Sequence, residues 1–352
     1  MTSAVRVAVI FGGRSTAHDV SCKSAASMLQ YLDRTRYDVL PIRITLDGVW
    51  LVGVDRPGAT VDVAALRDMT PEDPFRRTTP LESLFHALDA LRDADVVLPC
   101  LHGPYGDDGT LQSILEFAGI PYVGSGVLAS AASMDKEFTK KILAAEGIPV
   151  ADGVVLRTPD ETVTPADRER LGLPVFVKSA CGGSSIGVSR VDDWADLDAV
   201  LEVARAIYPK VLVEAAVPGR EIGIGVLERP GGEIVVSPSL EIKAEYRDGT
   251  TTLVIPADLD AATSAALAET AVRVFTALDC TGLLRVGFFL PVVDGRVLPT
   301  VNDVNTMPGL TAVSQFPQMW HAAGTPYGEL LDLLIETAMH DAAPAALPRT
   351  TS

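Results

Sequence analysis

Cysteine is scarce in this sequence, and the cysteines that occur are not paired. Only four are found among 352 residues, and no two of them have the C-x-x-C spacing; they are Cys22, Cys100, Cys181 and Cys280. Structural zinc sites usually contain closely spaced cysteine pairs, and disulfide frameworks are typical of short, cysteine-rich secreted chains. Neither is therefore indicated, and we expect reduced, mostly buried thiols.

Positive charge is also in short supply. The chain has 29 Lys and Arg against 46 Asp and Glu, which gives a formal net charge of -17. Such a balance argues against nucleic acid or an anionic membrane surface as the main partner. Anionic substrates would have to be bound in local cationic pockets.

Long apolar runs are missing at the start of the chain. The first apolar stretch covers residues 5–11 and contains Arg6, whereas a membrane helix needs about 20 apolar residues. A secretory signal is not indicated either. We expect a cytoplasmic enzyme.

The chain does contain enough apolar material for a large core. It is 47% hydrophobic and 21% charged, as in ordinary globular proteins, and its 352 residues favour two or three packed units. In the first unit, strands are predicted at residues 5–11, 37–44 and 95–99, and helices at 21–32, 81–91 and 110–118. This alternation predicts an α/β fold with a mostly parallel sheet, in which ligands bind at the carboxyl ends of the strands.

A second unit is predicted from Met134 and a third from Ala216. The second has predicted helices at residues 136–145 and 194–207, and strands at 154–156, 174–178, 187–191 and 210–214. The third has predicted strands at 221–227, 233–236, 283–290 and 296–301, and helices at 261–278 and 327–340. Residues 54–80 are expected to be irregular, and the tail after Ala342 disordered.

A lysine leads into a loop of small residues in the second unit. Lys178 ends a predicted strand, and residues 181–187 read CGGSSIG. Glycines let backbone N–H groups approach phosphates closely, and a lysine adds a point charge. The loop is not a Walker loop, because no G-K-[ST] opens a helix. A flexible hairpin with a surface lysine is the alternative.

Two glutamates flank the turn that follows. Glu214 ends a predicted strand, and Glu221 lies seven residues further on. Their carboxylates could accept hydrogen bonds from an adenine amino group and from ribose hydroxyls. A pair of glutamates on a solvated face is the alternative.

Two oxygen ligands lie close together near the C-terminus. Asp303 and Asn305 are two residues apart on a predicted strand end, so their side chains point to the same side. Such a pair suits Mg²⁺ that bridges phosphates, because Mg²⁺ keeps most of its waters.

Arg285 and His102 each allow two interpretations. Arg285 lies on an otherwise apolar strand, where arginine usually has an anionic partner; the partner could be a substrate or a structural carboxylate. His102 lies in the loop of residues 101–109, after a strand and before a helix, and could be a site residue or structural. No Ser or Cys nucleophile near a histidine supports a hydrolase triad.

Taken in order, these motifs resemble the ATP-grasp D-alanyl-D-alanine ligases over about residues 5–340. The resemblance is carried by residues 9–15 (VIFGGRS), 18–21 (HDVS), 101–112 (LHGPYGDDGTLQ), 121–125 (PYVGS), 134–136 (MDK), 183–187 (GSSIG) and 305–309 (NTMPG). Residues 11–13, 18–24 and 174–178 look nearest to the vancomycin-resistance branch, which makes D-alanyl-D-lactate.

The resemblance implies a three-lobed ATP-grasp fold and a cell-wall precursor ligase. Residues 1–133 would be the N-terminal α/β substrate-binding domain, 134–215 the ATP-grasp lid, 216–341 the catalytic domain and 342–352 a disordered tail. ATP and Mg²⁺ (or Mn²⁺) would be the cofactors, and small amino acids the substrates. A homodimer is expected, with neither nucleic acid nor a membrane as partner.

Individual roles also follow from the resemblance. ATP phosphates would be held by Lys136 and Lys178 and covered by the loop with Ser184 and Ser185; the adenosine would lie against Glu214, Val217 and Glu221. Asp303 and Asn305 would bind the metal. Arg285 and the Gly309 N–H would stabilise the oxyanion, Tyr246 and Ser184 would act in the catalytic site, and Val20, His102, Ser314 and Gln315 would line the amino-acid subsites.

The sequence departs from the family pattern at positions used for chemistry. Ala17 replaces a glutamate that anchors the first substrate's ammonium, Gly287 replaces a metal-binding aspartate, and Glu245 replaces a lysine. The loop after Ser239 is short, and Asp303 replaces a longer glutamate. These changes predict altered substrates or weakened metal binding; the alternative is a true D-alanine ligase with local compensation.

Two other classes of protein are open alternatives. A catalytically silent homologue would bind ATP without forming product. A dinucleotide oxidoreductase would need G-x-G-x-x-G after the first strand, which residues 11–17 do not provide.

Overall fold

The computed structural model describes residues 4–55, 63–67, 69, 78–182, 188–244 and 251–341. The helices are α1 (His18–Tyr31), α2 (Val63–Arg67), α3 (Pro80–Leu91), α4 (Thr110–Ala118), α5 (Val127–Met134), α6 (Lys136–Ala145), α7 (Pro165–Leu171), α8 (Leu197–Ile207), α9 (Ala261–Ala277), α10 (Gln315–Ala322) and α11 (Tyr327–Asp341).

Sixteen strands are formed by the described residues. They are β1 (Val5–Gly12), β2 (Tyr37–Ile44), β3 (Trp50–Val52), β4 (Val96–Cys100), β5 (Gly153–Leu156), β6 (Val175–Ser179), β7 (Ser189–Val191), β8 (Val211–Ala215), β9 (Arg220–Glu228), β10 (Ile234–Val236), β11 (Leu240–Ala244), β12 (Thr251–Val254), β13 (Leu283–Leu290), β14 (Val292–Val293), β15 (Arg296–Val297) and β16 (Thr300–Asn305).

The N-terminal sheet has the order β3-β2-β1-β4. Strand β1 is parallel to both β2 and β4, and only β3 is antiparallel, to β2. Residues 7–11 of β1 are fully buried, as expected for a central strand with both faces covered. The predicted parallel sheet is therefore confirmed, and its carboxyl ends place the loops before α1 and α4 side by side.

Two larger antiparallel sheets and the two-stranded antiparallel sheet β14-β15 follow. The middle sheet has the order β5-β8-β6-β7 and packs its apolar face on α8. The C-terminal sheet has the order β12-β11-β9-β13-β16, with β10 paired to β9, and one face is covered by α9. These two sheets present the ends of β6, β8, β9 and β16 to a common cleft.

The largest apolar cluster joins the two ends of the chain. Residues of α1, β1 and β4 pack there against α10 and α11 and against Leu227 and Leu283 of the C-terminal sheet. The N-terminal sheet is therefore fixed to the sheet that carries Asp303. Among the described residues, none of the helices has the length and apolar character needed to cross a lipid bilayer.

Most predicted elements are confirmed, and the errors have local causes. The strand predicted at residues 296–301 is wrong: Pro299 cannot donate to a ladder, so the segment divides into β15 and β16, and β16 extends to Asn305. Residues 54–80 are not wholly irregular, because α2 lies among them. Helix α8 begins later than predicted, after a 3₁₀ turn at Trp194–Asp196. The predicted disordered tail lies outside the described residues.

Candidate active site

One cavity of about 430 Å³ brings together most of the predicted site residues. Its wall combines loops of the N-terminal sheet, helix α6 and the facing ends of the other two sheets. The predicted residues in the wall are Val20, His102, Lys136, Lys178, Glu214, Val217, Glu221, Asp303, Asn305 and Gly309.

Six predicted residues are not in this wall. Arg285 Nη1 is 3.4 Å from Oδ2 of the wall residue Asp303. Ser314 is the residue before α10, which begins at Gln315; a Cβ on Gly309 would lie 3.1 Å from the Ser314 hydroxyl. Both residues are therefore close to the wall at Gly309. Ser184, Ser185 and Tyr246 lie outside the described residues.

A buried carboxylate between two lysines forms one end of the cavity. The side chain of Glu214 is 2% exposed, with Lys178 Nζ 2.9 Å from Oε2 and Lys140 Nζ 3.0 Å from Oε1. Burial alone would raise the pKa of Glu214, but the two ammonium groups hold that pKa below its ordinary value. Burial lowers the pKa of Lys140. Lys178 also donates to Asn302 Oδ1 at 3.0 Å.

Lys136 lies at the start of α6, where the helix meets the glycine-rich loop. Its N-cap residue, Asp135, is paired with Lys210. The Lys136 backbone N–H donates to Ala180 O at 2.9 Å, and its ammonium donates to Gly182 O at 2.9 Å. Burial and the neighbouring Lys178 lower the pKa of Lys136. The two lysines therefore form a cationic region that an anion would stabilise.

The oxygen ligands predicted for a metal project from β16. Asp303 lies opposite Gly287 of β13, and Asn305 lies opposite Arg285. The register shifts between Gly287 and Phe288, and Asn302 is the extra residue. Such a bulge re-aims side chains, which explains why Asn302 lines the same cavity as Asp303.

This donor set fits Mg²⁺. One carboxylate and one amide oxygen suit an ion that takes its other ligands from phosphates and water. Asn305 Oδ1 accepts a bond from the Met307 N–H at 3.1 Å, which orients the amide. Burial, and after it the nearby Asp303 carboxylate, raises the pKa of Glu221. The two carboxyl groups therefore concentrate negative charge at this part of the cavity.

The Asp303 carboxylate leaves no space for a side chain at Gly287. A Cβ on residue 287 would lie 2.0 Å from Asp303 Oδ1. The Asp303 carboxylate therefore occupies the volume that a side chain at position 287 would fill. Glycine at position 287, where the family has an aspartate, and the shorter carboxylate at position 303, where the family has a glutamate, are therefore linked changes.

The loops of the N-terminal sheet form the opposite end of the cavity. His102 Nδ1 is 3.0 Å from Met307 O, so this nitrogen must donate and carries the proton. Its Nε2 is buried without a hydrogen-bond partner among the described residues. Burial lowers the pKa of His102, which favours a neutral ring. Its Nε2 can accept a hydrogen bond from a substrate.

Asp107 is a site residue that sequence reasoning missed. Its carboxylate lines the cavity with Ala17, Val20 and His102, and it accepts a bond from the Gly103 N–H at 2.6 Å. Burial raises its pKa to about 7. Within the described part of the chain, it lines the cavity in addition to the carboxylates of Glu214, Glu221 and Asp303.

Asp107 should make stability depend on pH. Its unfolded pKa is about 3.9, so the raised folded value adds stability below about pH 4 that is lost as the pH rises through about 7. Asp107→Asn is expected to flatten the decline in unfolding free energy between pH 4 and 7. Urea denaturation across this range measures it. Asp93→Asn, at a carboxylate 78% exposed, is the control; unchanged pH dependence in Asp107→Asn would contradict the assignment.

Sequence and structure comparisons identify relatives along nearly the whole chain. The family "D-ala D-ala ligase N-terminus" matches residues 6–125, and "D-ala D-ala ligase C-terminus" matches residues 142–336. D-alanine–D-alanine ligases of Nocardia farcinica and Mycolicibacterium gilvum are 50% and 48% identical, each over 96% of this chain and 98% of the relative.

Two solved structures are similar in fold. The VanG D-Ala:D-Ser ligase of Enterococcus faecalis has a TM-score of 0.79 at 30% identity, over 96% of this chain and 100% of that one. The D-alanine–D-alanine ligase of Bacillus anthracis complexed with ATP has a TM-score of 0.76 at 31% identity, over 96% and 99%.

The middle and C-terminal sheets, with the cleft between them, form an ATP-grasp fold, and this fold together with the relatives identifies the chain as an ATP-dependent ligase. The chain belongs to the D-alanine–D-alanine ligase family, whose members use ATP and Mg²⁺.

Proposed function

We propose that this protein joins two molecules of D-alanine, with hydrolysis of ATP to ADP and phosphate, to make D-alanyl-D-alanine for peptidoglycan precursors. The observation that carries the proposal is the single cavity in which the cationic region of Lys136 and Lys178 meets Asp303 and the His102 loop. The names and extents of its relatives support the same substrate.

The proposed ATP site follows the charges in the cavity. Lys136 and Lys178 hold phosphates, while Glu214, Val217 and Glu221 hold the adenosine. Asp303 and Asn305 would hold Mg²⁺, which would neutralise phosphate charge. Positioning and charge neutralisation supply most of the acceleration in phosphoryl transfer.

The proposed reaction has two steps. The carboxylate of the first D-alanine attacks the γ-phosphorus of ATP, and ADP leaves with the electron pair of the broken P–O bond. The amine of the second D-alanine then attacks the acyl phosphate. The tetrahedral intermediate loses phosphate and the amine proton to give the dipeptide.

Other residues act on these intermediates in the proposal. Arg285 and the Gly309 N–H stabilise the oxyanion, and Val20, His102, Ser314 and Gln315 line the two subsites. Ser184 and Tyr246 are proposed to act in the catalytic site, and Ser184 and Ser185 to cover the phosphates, because an acyl phosphate is hydrolysed in an open site.

Product analysis tests the function. Incubation with ATP, Mg²⁺ and D-alanine should give ADP, phosphate and D-alanyl-D-alanine in equal amounts, measured by mass spectrometry. AMP and pyrophosphate would exclude the acyl-phosphate route. ATP binding without product would indicate a silent homologue.

A second candidate is a ligase with altered substrates, such as D-lactate or D-serine. It is favoured by Ala17, whose methyl group cannot pair with an ammonium, and by the likeness to a D-Ala:D-Ser ligase. Incubation with D-alanine and each alternative in competition distinguishes the two candidates by product mass.

Ala17→Glu tests which residue holds the first ammonium. If no other group does so, the variant should use D-alanine about ten-fold better or more, the effect of one charge-assisted hydrogen bond. The gain should appear in KM, because the ammonium is charged throughout the reaction. Initial rates at varied D-alanine measure it. If Asp107 already holds the ammonium, KM will not fall, and Asp107→Asn will raise it.

Three further features belong to the proposal. The domains are residues 1–133, 134–215 and 216–341, in keeping with the separate N-terminal, middle and C-terminal sheets. A cytoplasmic location fits the use of ATP.

A homodimer is supported by two exposed apolar side chains on the packed helices α4 and α5, Phe117 and Leu128, which are 96% and 67% exposed. Light scattering should give twice the chain mass for the wild type and a lower mass for Phe117→Ser.

A further inference from the structure

A cluster of charged side chains lies at the start of α6, outside the cavity wall. The Lys210 ammonium pairs with Asp135 Oδ2 and is 3.0 Å from Glu137 Oε2. The side chains of Lys210 and Asp135 are 15% exposed and that of Glu137 is 3% exposed, so water and salt screen these pairs little. Apolar residues of similar volume often stabilise a fold as well as buried ion pairs do. Stability alone therefore does not explain the cluster.

Asp135 uses its two carboxylate oxygens for different contacts. Oδ1 accepts a hydrogen bond from the Glu137 N–H at 3.1 Å and so caps α6. Oδ2 binds the Lys210 ammonium. The backbone of Asp135 also forms an isolated antiparallel bridge with Cys181. Asp135 therefore ties the start of α6 both to Lys210 and to the chain that follows β6.

The backbone of Lys210 reaches the same segment from the other side. The Lys210 C=O accepts from the Ala180 N–H at 2.9 Å, and the Ala180 C=O accepts from the Lys136 N–H at 2.9 Å. Lys136 follows Asp135 directly in the chain, and Asp135 holds the Lys210 ammonium. The contacts therefore close a ring, whose members are Lys210, Ala180, Lys136 and Asp135.

The ring fixes the backbone from which the Lys136 side chain enters the cavity. Lys136 lines the cavity wall, and its ammonium donates to Gly182 O at 2.9 Å. A lysine side chain loses conformational entropy when it is held against an anion, and fixing its surroundings beforehand reduces that cost. Lys210 is not in the cavity wall. It can therefore act on a bound ligand only through Lys136 and residues 180–182.

Two other cations contact Glu137 but do not belong to the ring. Lys141 Nζ is 2.7 Å from Glu137 Oε1, and Arg157 pairs with the same oxygen. Their side chains are 60% and 52% exposed. Within the described ranges, Lys210 is the one cation that pairs with Asp135. Neither of the exposed cations can therefore take the place of Lys210.

We propose that Lys210 is a positioning residue for Lys136: its ammonium holds Asp135, its carbonyl holds Ala180, and together they set the place from which Lys136 meets the phosphates of ATP. The role rests on the proposed use of ATP. It assigns a function to a charged cluster that the proposed nucleotide, metal and amino-acid sites do not use.

A double-mutant cycle tests whether Lys210 acts through Lys136. Binding of a non-hydrolysable ATP analogue with Mg²⁺ to the full-length protein is measured by calorimetry. Lys210→Met should weaken this binding about ten-fold, the effect of one charge-assisted hydrogen bond. In a Lys136→Met background the same substitution should have no further effect, because the residue through which it acts has been removed. A merely structural role would give the same loss in both backgrounds.

Lys141→Met is the matched control, because Lys141 also pairs with Glu137 but is exposed; it should bind the analogue as the wild type does. Asp135→Ser is a second variant in case Lys210→Met does not fold. Serine can still cap α6 but removes the partner of the Lys210 ammonium, so binding should weaken unless Lys136 is also replaced.

Unchanged affinity in Lys210→Met or Asp135→Ser, or an equal loss with and without Lys136, would overturn the positioning role and leave the ligase proposal intact. A wild type that does not bind the analogue would overturn both.

Discussion

Replacing Arg285 by methionine is expected to lower kcat for dipeptide formation about a hundred- to a thousand-fold, the loss seen when one preorganised donor to an oxyanion is removed. The guanidinium is 13% exposed, and its Nη1 is 3.4 Å from Asp303 Oδ2. Its Nε is buried without a hydrogen-bond partner among the described residues. A donor held in this way needs little reorganisation to meet a developing negative charge.

The measurement for Arg285→Met must separate turnover from ATP binding. Dipeptide formation gives kcat, while calorimetry with a non-hydrolysable ATP analogue gives the affinity, which should change much less. Arg296→Met, at an exposed position of β15, is the control and should retain full activity. A variant that loses ATP binding and turnover equally would place Arg285 in the nucleotide site.

Asp303→Asn is expected to weaken metal binding in the nucleotide complex by at least about ten- to a hundred-fold, since loss of even an outer hydrogen-bond partner of a metal ligand costs that much. Asp303 supplies the one carboxylate of the proposed pair, and Asn305 is neutral. The substitution keeps the size of the side chain, so the crowding at Gly287 is unchanged.

Electron paramagnetic resonance of Mn²⁺ measures this loss without turnover. The protein with a non-hydrolysable ATP analogue is titrated with Mn²⁺, and free ion is followed by its signal. Asp294→Asn, in the exposed turn between β14 and β15, serves as the control. Equal Mn²⁺ affinity in wild type and Asp303→Asn would refute the metal assignment and point to Glu221 as the ligand.

Much of the fold could be predicted because its signals are local. The apolar run of β1, the glycines after it and the helical spacing of α4 depend on neighbouring residues, and the structure follows them closely. The strand error at residues 296–301 arose where hydrophobicity continued across Pro299. The hydrogen-bond ladder cannot continue there. The apolar pattern therefore predicted one strand where the backbone forms two.

The candidate site was predicted only in part, for a physical reason. Lys178, Glu214 and Asp303 lie near the carboxyl ends of strands, and strand ends can be recognised along the chain. Lys140 lies within a charged helical segment, and only its spacing of four residues from Lys136 hinted at a shared face. Asp107 follows a glycine-containing turn, where acidic residues are common. Their importance depends on burial, which results from packing between distant elements.

The crowding between Gly287 and Asp303 limits the routes by which this metal site can change. A side chain at position 287 alone would require the Asp303 carboxylate to turn away from its present position, whereas replacing Asp303 alone by a smaller apolar residue would remove the carboxylate and leave its space empty. Neither step preserves the site, so the two positions should vary together. A library that randomises both at once should therefore yield active enzymes that two single-position libraries would miss.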